Sequence, residues 1–183
     1  MAKSEAFERM GRLKDEERCG RYFVPDCLLL TIETFGWEPL LADDATAHAL
    51  RMALSETWRR APFDSMAYVI LPDHAHLFLK PGARANADAI VRVLTGHFER
   101  DYRQMMGLPT SERLLQRSYQ MRRAHDEETF ARFLDHVHYD PVHHSLAQRP
   151  EEWPHSSYQR WVERGVYKLG WGWDTSTRVP GGQ

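Results

Sequence analysis

Cysteine is nearly absent from these 183 residues: the two present, Cys19 and Cys27, supply neither a disulfide framework nor a Cys-x-x-Cys metal pair, which fits a reducing compartment. Long apolar runs are missing as well. The longest, such as Cys27 to Leu30, are far too short to cross a bilayer, and the acidic start at Glu5 and Glu8 is unlike a signal peptide. The expectation is a cytoplasmic protein without a membrane partner. Internal repeats and low-complexity segments are also lacking, and with 42% hydrophobic and 27% charged residues the composition is globular rather than disordered or fibrous. Net charge is small: 24 Lys and Arg against 26 Asp and Glu give −2, where nucleic-acid binders usually carry a positive excess.

What charge there is lies unevenly. Residues 1–44 hold six basic against ten acidic side chains, whereas 84–123 hold eight arginines (84, 92, 100, 103, 113, 117, 122 and 123) against four acidic residues. The middle of the chain is either a phosphate-tracking surface, with Arg117, Arg122 and Arg123 its candidate DNA contacts, or an ordinary solvated face. The length allows one well-buried core and not two domains with a linker. We read a single domain over 21–172, with tails at 1–20 and 173–183 and a frayed end from Thr175.

Residues 27–34 are rich in β-formers and bounded by Pro25-Asp26 and Gly36, which predicts a strand. A helix is expected over Asp44 to Arg60, where Ala47, Leu50, Leu54 and Trp58 recur at helical spacing behind a capping aspartate. Met66 to Leu71 and His74 to Lys80 read as strands joined tightly through Pro72-Asp73, followed by a helix over Asn86 to Met106. Leu114 to Arg122 is a weaker strand pattern. Asp126 to Asp140 is a helix that Pro141 should end, and a short helix is expected near Ser156 to Gly165. The order is that of an α+β, ferredoxin-like split βαβ fold with one added helix, its helices packed on one face of an antiparallel sheet.

The chemistry is concentrated in His74-Ala-His76. Alternate side chains of a strand share a face, so both imidazoles point one way, about 6–7 Å apart along the strand. They are either two ligands of one divalent ion or two partly exposed histidines at a strand start. On the helix 126–140, Phe130, Phe133, Leu134 and Val137 form the apolar stripe, and His136 and Asp140 lie together on its flank. That i, i+4 pair either brings a third ligand, Asp140, to the histidines or is a local pair near a helix C-terminus. The aromatics Trp153, Tyr158, Trp161, Tyr167, Trp171 and Trp173 either stack unpaired bases or close a core.

Several stretches, in order and spacing, resemble the REP-associated tyrosine transposases, relatives of the single-tyrosine HUH transposases. They are Leu71-Pro-Asp-His-Ala-His-Leu77, Gln116-Arg-Ser-Tyr119, Phe130 to His144 with its Asp-Pro-Val-His-His, Trp153-Pro-His-Ser-Ser-Tyr158 and Arg164-Gly-Val-Tyr-Lys-Leu-Gly-Trp171. The resemblance implies the same ferredoxin-like sheet, with Mg²⁺ or Mn²⁺ held by His74 and His76. Asp140 falls where the family has a metal-holding asparagine, and it keeps an oxygen ligand. It also implies a partner, single-stranded or hairpin DNA, which a monomer or homodimer would cleave through a covalent tyrosine link. At the nucleophile position this chain has His136. Tyr139 is the nearest phenol but should point away from the sheet, and Tyr119 is more remote. Three readings therefore stay open: a metal-dependent strand transferase, a DNA-binding module that no longer cuts, and a phosphodiesterase that uses water.

Overall fold

The computed structural model describes residues 20–168, 170 and 171. The expected tails, apart from Gly20, lie outside these residues, as do Cys19 and Trp173. Four antiparallel strands, β1 (Cys27–Glu33), β2 (Phe63–Ile70), β3 (His74–Pro81) and β4 (Gln120–Ala124), form one sheet in the order β2-β3-β1-β4. Between them run α1 (Asp44–Arg60) and α2 (Ala87–Met106), and α3 (Glu127–His143) and α4 (Tyr158–Glu163) follow. The ferredoxin-like reading holds. Helix starts are set by side chains that satisfy otherwise orphaned amides: Asp43 accepts from Thr46 N–H, Asn86 from Ala89 N–H and Asp126 from Thr129 N–H.

β1 is buried on both faces, and its alternation divides the interior in two. Leu28, Leu30 and Ile32 join Ala75, Leu77 and Leu79 beneath α1 and α2. Leu29 joins Ala67, Val69 and Phe78 beneath α3 and α4. Helices packed on one face were expected; instead α1 and α2 cover one face and the added helix covers the other. The physical reason is the two-sided apolar character of the central strands, whose second face must also leave water. Phe130, Phe133, Leu134 and Val137 do this covering, each worth about 1.5–3 kcal/mol when fully buried.

Two boundaries differ from expectation in ways that shape the site. The fourth strand covers Gln120–Ala124 rather than Leu114 to Arg122, because Leu115 only bridges Thr34 before the chain leaves the sheet through 117–119. Helix α3 runs past Asp140 to His143 with Pro141 inside it. A proline so near the end costs the helix only the bond to the Val137 carbonyl, while the Pro141 carbonyl still accepts from Leu146 N–H. The outer edge of β2 is sealed: Val69 bridges Ser156, Ile70 N–H donates to the His155 carbonyl, and Arg160 and Trp161 donate to the Met66 carbonyl. β4 ends the sheet on the other side, with Gln120 to Arg123 exposed.

Candidate metal centre

Because His74 and His76 alternate with Ala75, both imidazoles stand on the face that α3 covers, while Ala75 is buried under α1 and α2. Asp140 descends from the last turns of α3 between them. Its Oδ2 lies 3.3 Å from His74 Nε2 and 3.1 Å from His76 Nε2. All three side chains are buried, and their ligand atoms lie within 4.8 Å of one another. The remaining ring nitrogens are also engaged: His74 Nδ1 is 2.7 Å from Asp73 Oδ1 and His76 Nδ1 is 2.9 Å from Thr31 Oγ1. In the tautomer that donates Nδ1–H to this carboxylate and hydroxyl, each ring aims a bare Nε2 at the common point, the arrangement that orients metal-binding histidines. Two imidazoles and a carboxylate fit a divalent ion of the Mn²⁺ or zinc type by donor chemistry.

Burial opposes charge on Asp140, yet hydrogen bonds from His74 and His76 outweigh it and hold the carboxyl well below the usual carboxylate range. Burial likewise disfavours the His74 imidazolium, but the hydrogen bonds to Asp140 and Asp73 carry it above its ordinary value. His136 is the contrary case. Burial, reinforced by the neighbouring His76, pushes it down to about 4, so it is neutral at physiological pH.

His136 stands beside His76, the two ring centroids 4.8 Å apart. Tyr139 points elsewhere, its ring meeting Trp171 at 6.0 Å. Tyr119 is remote, donating to Asp88 Oδ1 and packing on the α1 and α2 side of the sheet. The arginines divide. Arg122 pairs in register with Leu29 on the α3 side, its guanidinium 4.8 Å above the Phe133 ring. Arg123 pairs with Leu28, on the opposite face, and reaches Asp26 at 3.4 Å. Arg117 is exposed in the loop before β4. Tyr158, Trp161 and Tyr167 are buried, and Trp153 and Trp171 pack against the same core, so these aromatics close the interior rather than wait for bases.

Two features escaped sequence reasoning. One is His144, whose Nε2 is 3.6 Å from Asp140 Oδ1. It stands four residues after Asp140, a readable signal that the expected helix stop at Pro141 concealed. The other is a buried network. His138 Nε2 is 2.9 Å from Ser157 Oγ, its Nδ1 is 3.2 Å from Tyr167 Oη, and Tyr167 donates to Asp135 Oδ1 at 2.8 Å. Ser157 Oγ also accepts from Tyr68 N–H, which ties α3 and α4 to β2. Burial pushes His138 down to about 3, so it serves as a neutral hydrogen-bonding core residue. The signal for it was its place four residues after Leu134, on the apolar stripe.

An antiparallel ferredoxin-like sheet thus presents a His-Ala-His pair on a central strand, met by a carboxylate from a covering helix. Comparison with known proteins gives the family. No family model matches the chain. A Haemophilus influenzae protein carrying the REP-associated tyrosine transposase name is 30% identical over 139 residues, 72% of this chain and 79% of that protein. A REP-associated tyrosine transposase of Escherichia coli is 24% identical over 128 residues, 69% of this chain and 73% of that protein. A solved REP-associated tyrosine transposase, bound to a REP hairpin, superposes with a TM-score of 0.70 over 89% of this chain and 95% of its own, at 23% identity, and shares the fold. This chain belongs to the REP-associated tyrosine transposase family. Among the described residues no helix is long and apolar enough to cross a membrane.

Proposed function

We propose that this protein binds single-stranded or hairpin DNA of the palindromic-repeat kind, that His74, His76 and Asp140 hold a divalent ion, Mg²⁺ or Mn²⁺, beside the DNA, and that the native chain binds without cutting. The observation that carries the reading is the convergence of the three side chains on one buried point, with both outer ring nitrogens already engaged. Membership of the family supports DNA as the partner, since a relative of the same fold is bound to a REP hairpin. When bound, the ion would supply Lewis acidity to a phosphate oxygen.

The chain's own residues account for the rest. Arg122, on the α3 side near His136, neutralises a phosphate drawn to the site, and Arg117 and Arg123 extend the cationic edge. His136 stands where the family's attacking tyrosine is expected, and Tyr139 turns towards Trp171, so the position lacks a phenol. Without an oriented attacking group, a polarised phosphate is held but not broken. A second reading, cleavage through His136 itself, is favoured by one observation, the closeness of its neutral ring to His76. There a ring nitrogen would bond to phosphorus and a 3′-hydroxyl would leave with a proton.

The test is incubation of labelled repeat hairpin with native protein, His136→Tyr, His136→Ala and Tyr139→Phe, with Mg²⁺ or Mn²⁺. Binding without a covalent adduct in native protein, and a 5′-phosphotyrosine adduct in His136→Tyr, is the expected result. An adduct formed by native protein that survives in Tyr139→Phe and vanishes in His136→Ala would replace the first reading by the second.

A further inference from the structure

We infer that His144 is a fourth protein ligand of the centre, and that the resulting set of three imidazoles and one carboxylate selects a first-row transition-metal dication over Mg²⁺. This rests on the proposal that His74, His76 and Asp140 hold an ion. The Asp140 carboxylate divides its two oxygens: Oδ2 faces the Nε2 atoms of His74 and His76 at 3.3 and 3.1 Å, while Oδ1 faces His144 Nε2 at 3.6 Å. Three imidazoles thus surround one carboxylate. The His144 ring stands edge-on to that of His74, with centroids 5.2 Å apart.

Backbone geometry fixes this placement. His144 caps α3, its N–H bonded to the carbonyls of Asp140 and Val142, so its Cα is held one turn beyond Asp140 on the same flank. The side chain is 45% exposed, against 8 and 9% for His74 and His76. It therefore stands on the exposed side of the cluster, and to ligate the same ion its Nε2 would turn from Asp140 Oδ1 towards the point the other two nitrogens face.

The donor chemistry then decides the metal. Mg²⁺ prefers an octahedron of oxygens and keeps most of its waters, so three nitrogen donors suit it poorly. Imidazole suits Mn²⁺, Co²⁺ and Zn²⁺ increasingly well along the first-row series. The competing account is a helix-terminal histidine that pairs with Asp140 and meets the negative end of the helix dipole, with no metal role.

The experiment titrates metal-free, full-length protein with Co²⁺, read by visible absorption and calorimetry, in native protein, His144→Ala, His144→Asn and His74→Ala, with circular dichroism to check the fold. Native protein should bind Co²⁺ with a ligand-field band that a roughly 100-fold excess of Mg²⁺ fails to remove. Both His144 variants should bind Co²⁺ roughly tenfold or more weakly with an altered band, and Mg²⁺ no less well than native protein. Unchanged Co²⁺ affinity and band in both His144 variants would overturn the inference and leave His144 a helix cap. Displacement of Co²⁺ by equimolar Mg²⁺ would overturn the selectivity. If His74→Ala too bound Co²⁺ unchanged, the underlying metal reading would fall, an outcome distinct from failure at His144 alone.

Discussion

Replacing Phe130 by alanine tests what holds the start of α3 on the sheet, and whether its far end, which carries Asp140, depends on it. Phe130 is fully buried, its ring 4.9 Å from Phe78 and 5.8 Å from Phe23. Truncation loses the transfer energy of the ring and the contacts around the cavity it leaves, about 3–5 kcal/mol together. Single domains are stable by about 5–15 kcal/mol, so the variant should remain folded. At about 2–4 °C per kcal/mol for a chain of this size, it should melt roughly 6–20 °C lower. Asp140 lies about 15 Å further along the helix axis, beyond the distance over which mutational effects usually couple. Added Mn²⁺ should therefore stabilise native and variant protein by the same increment, because binding to the folded state alone sets that term. Urea unfolding with and without Mn²⁺ measures both quantities. A loss below about 1 kcal/mol would refute the packing account. A vanished metal increment in a folded variant would refute the independence of the two ends of α3.

Other substitutions test other parts. Ser157→Ala removes the partner of His138 Nε2 and of Tyr68 N–H, and should lower the unfolding free energy by about 1–3 kcal/mol for each buried group left unpaired, read as a lower urea midpoint, with Ser157→Thr recovering most of it. An unchanged midpoint would mean that the network contributes nothing. Affinity for a repeat hairpin should fall as salt rises, and Arg122→Glu should weaken it more than Arg123→Glu, since of the two Arg122 shares the face of His74 and His76; equal effects would contradict that assignment. Burial pushes the Cys27 thiol up to about 11, so at pH 8 it is ionised to about one part in a thousand. In a Cys19→Ser background, a thiol reagent should therefore label the folded protein far more slowly than the unfolded one, and similar rates would show that Cys27 is not shielded. The folded thiol holds its proton more tightly than the unfolded thiol. The associated stability is thus complete below roughly pH 8.5 and is lost as pH climbs towards about 11, which pH-dependent melting curves would register.

Much of this could be read from the chain. The His74-Ala-His76 alternation, the 3.6-residue stripe of α3 and the capping residues Asp43, Asn86 and Asp126 each have a local physical cause, and local causes are visible in sequence. The misreadings have other causes, local at Pro141 and non-local elsewhere. Pro141 was expected to stop α3, but the penalty for proline depends on how many helical bonds remain after it, and here the helix was ending anyway. That error hid His144, since the i, i+4 relation to Asp140 holds only if the helix continues. The fourth strand was misplaced because Leu114 and Leu115 have strand-like side chains, while pairing is decided by where β1 runs out at Glu33. His138 is buried with a satisfied ring because Ser157 and Tyr167 arrive from far along the chain. No helical wheel contains them.

The unequal treatment of the sheet's two margins has a consequence for solubility. With β2 sealed by the 155–157 segment and by Arg160 and Trp161, β4 is the margin that, among the described residues, carries no further strand. Charged side chains on an open edge are what keep such a strand from pairing with a second copy. Arg122 and Arg123, exposed on that strand, should therefore oppose self-association, and a variant that neutralises both should lose that protection. Arg122→Glu keeps two charged side chains on the edge where Arg122→Ala leaves only Arg123, so the two variants should differ in aggregation.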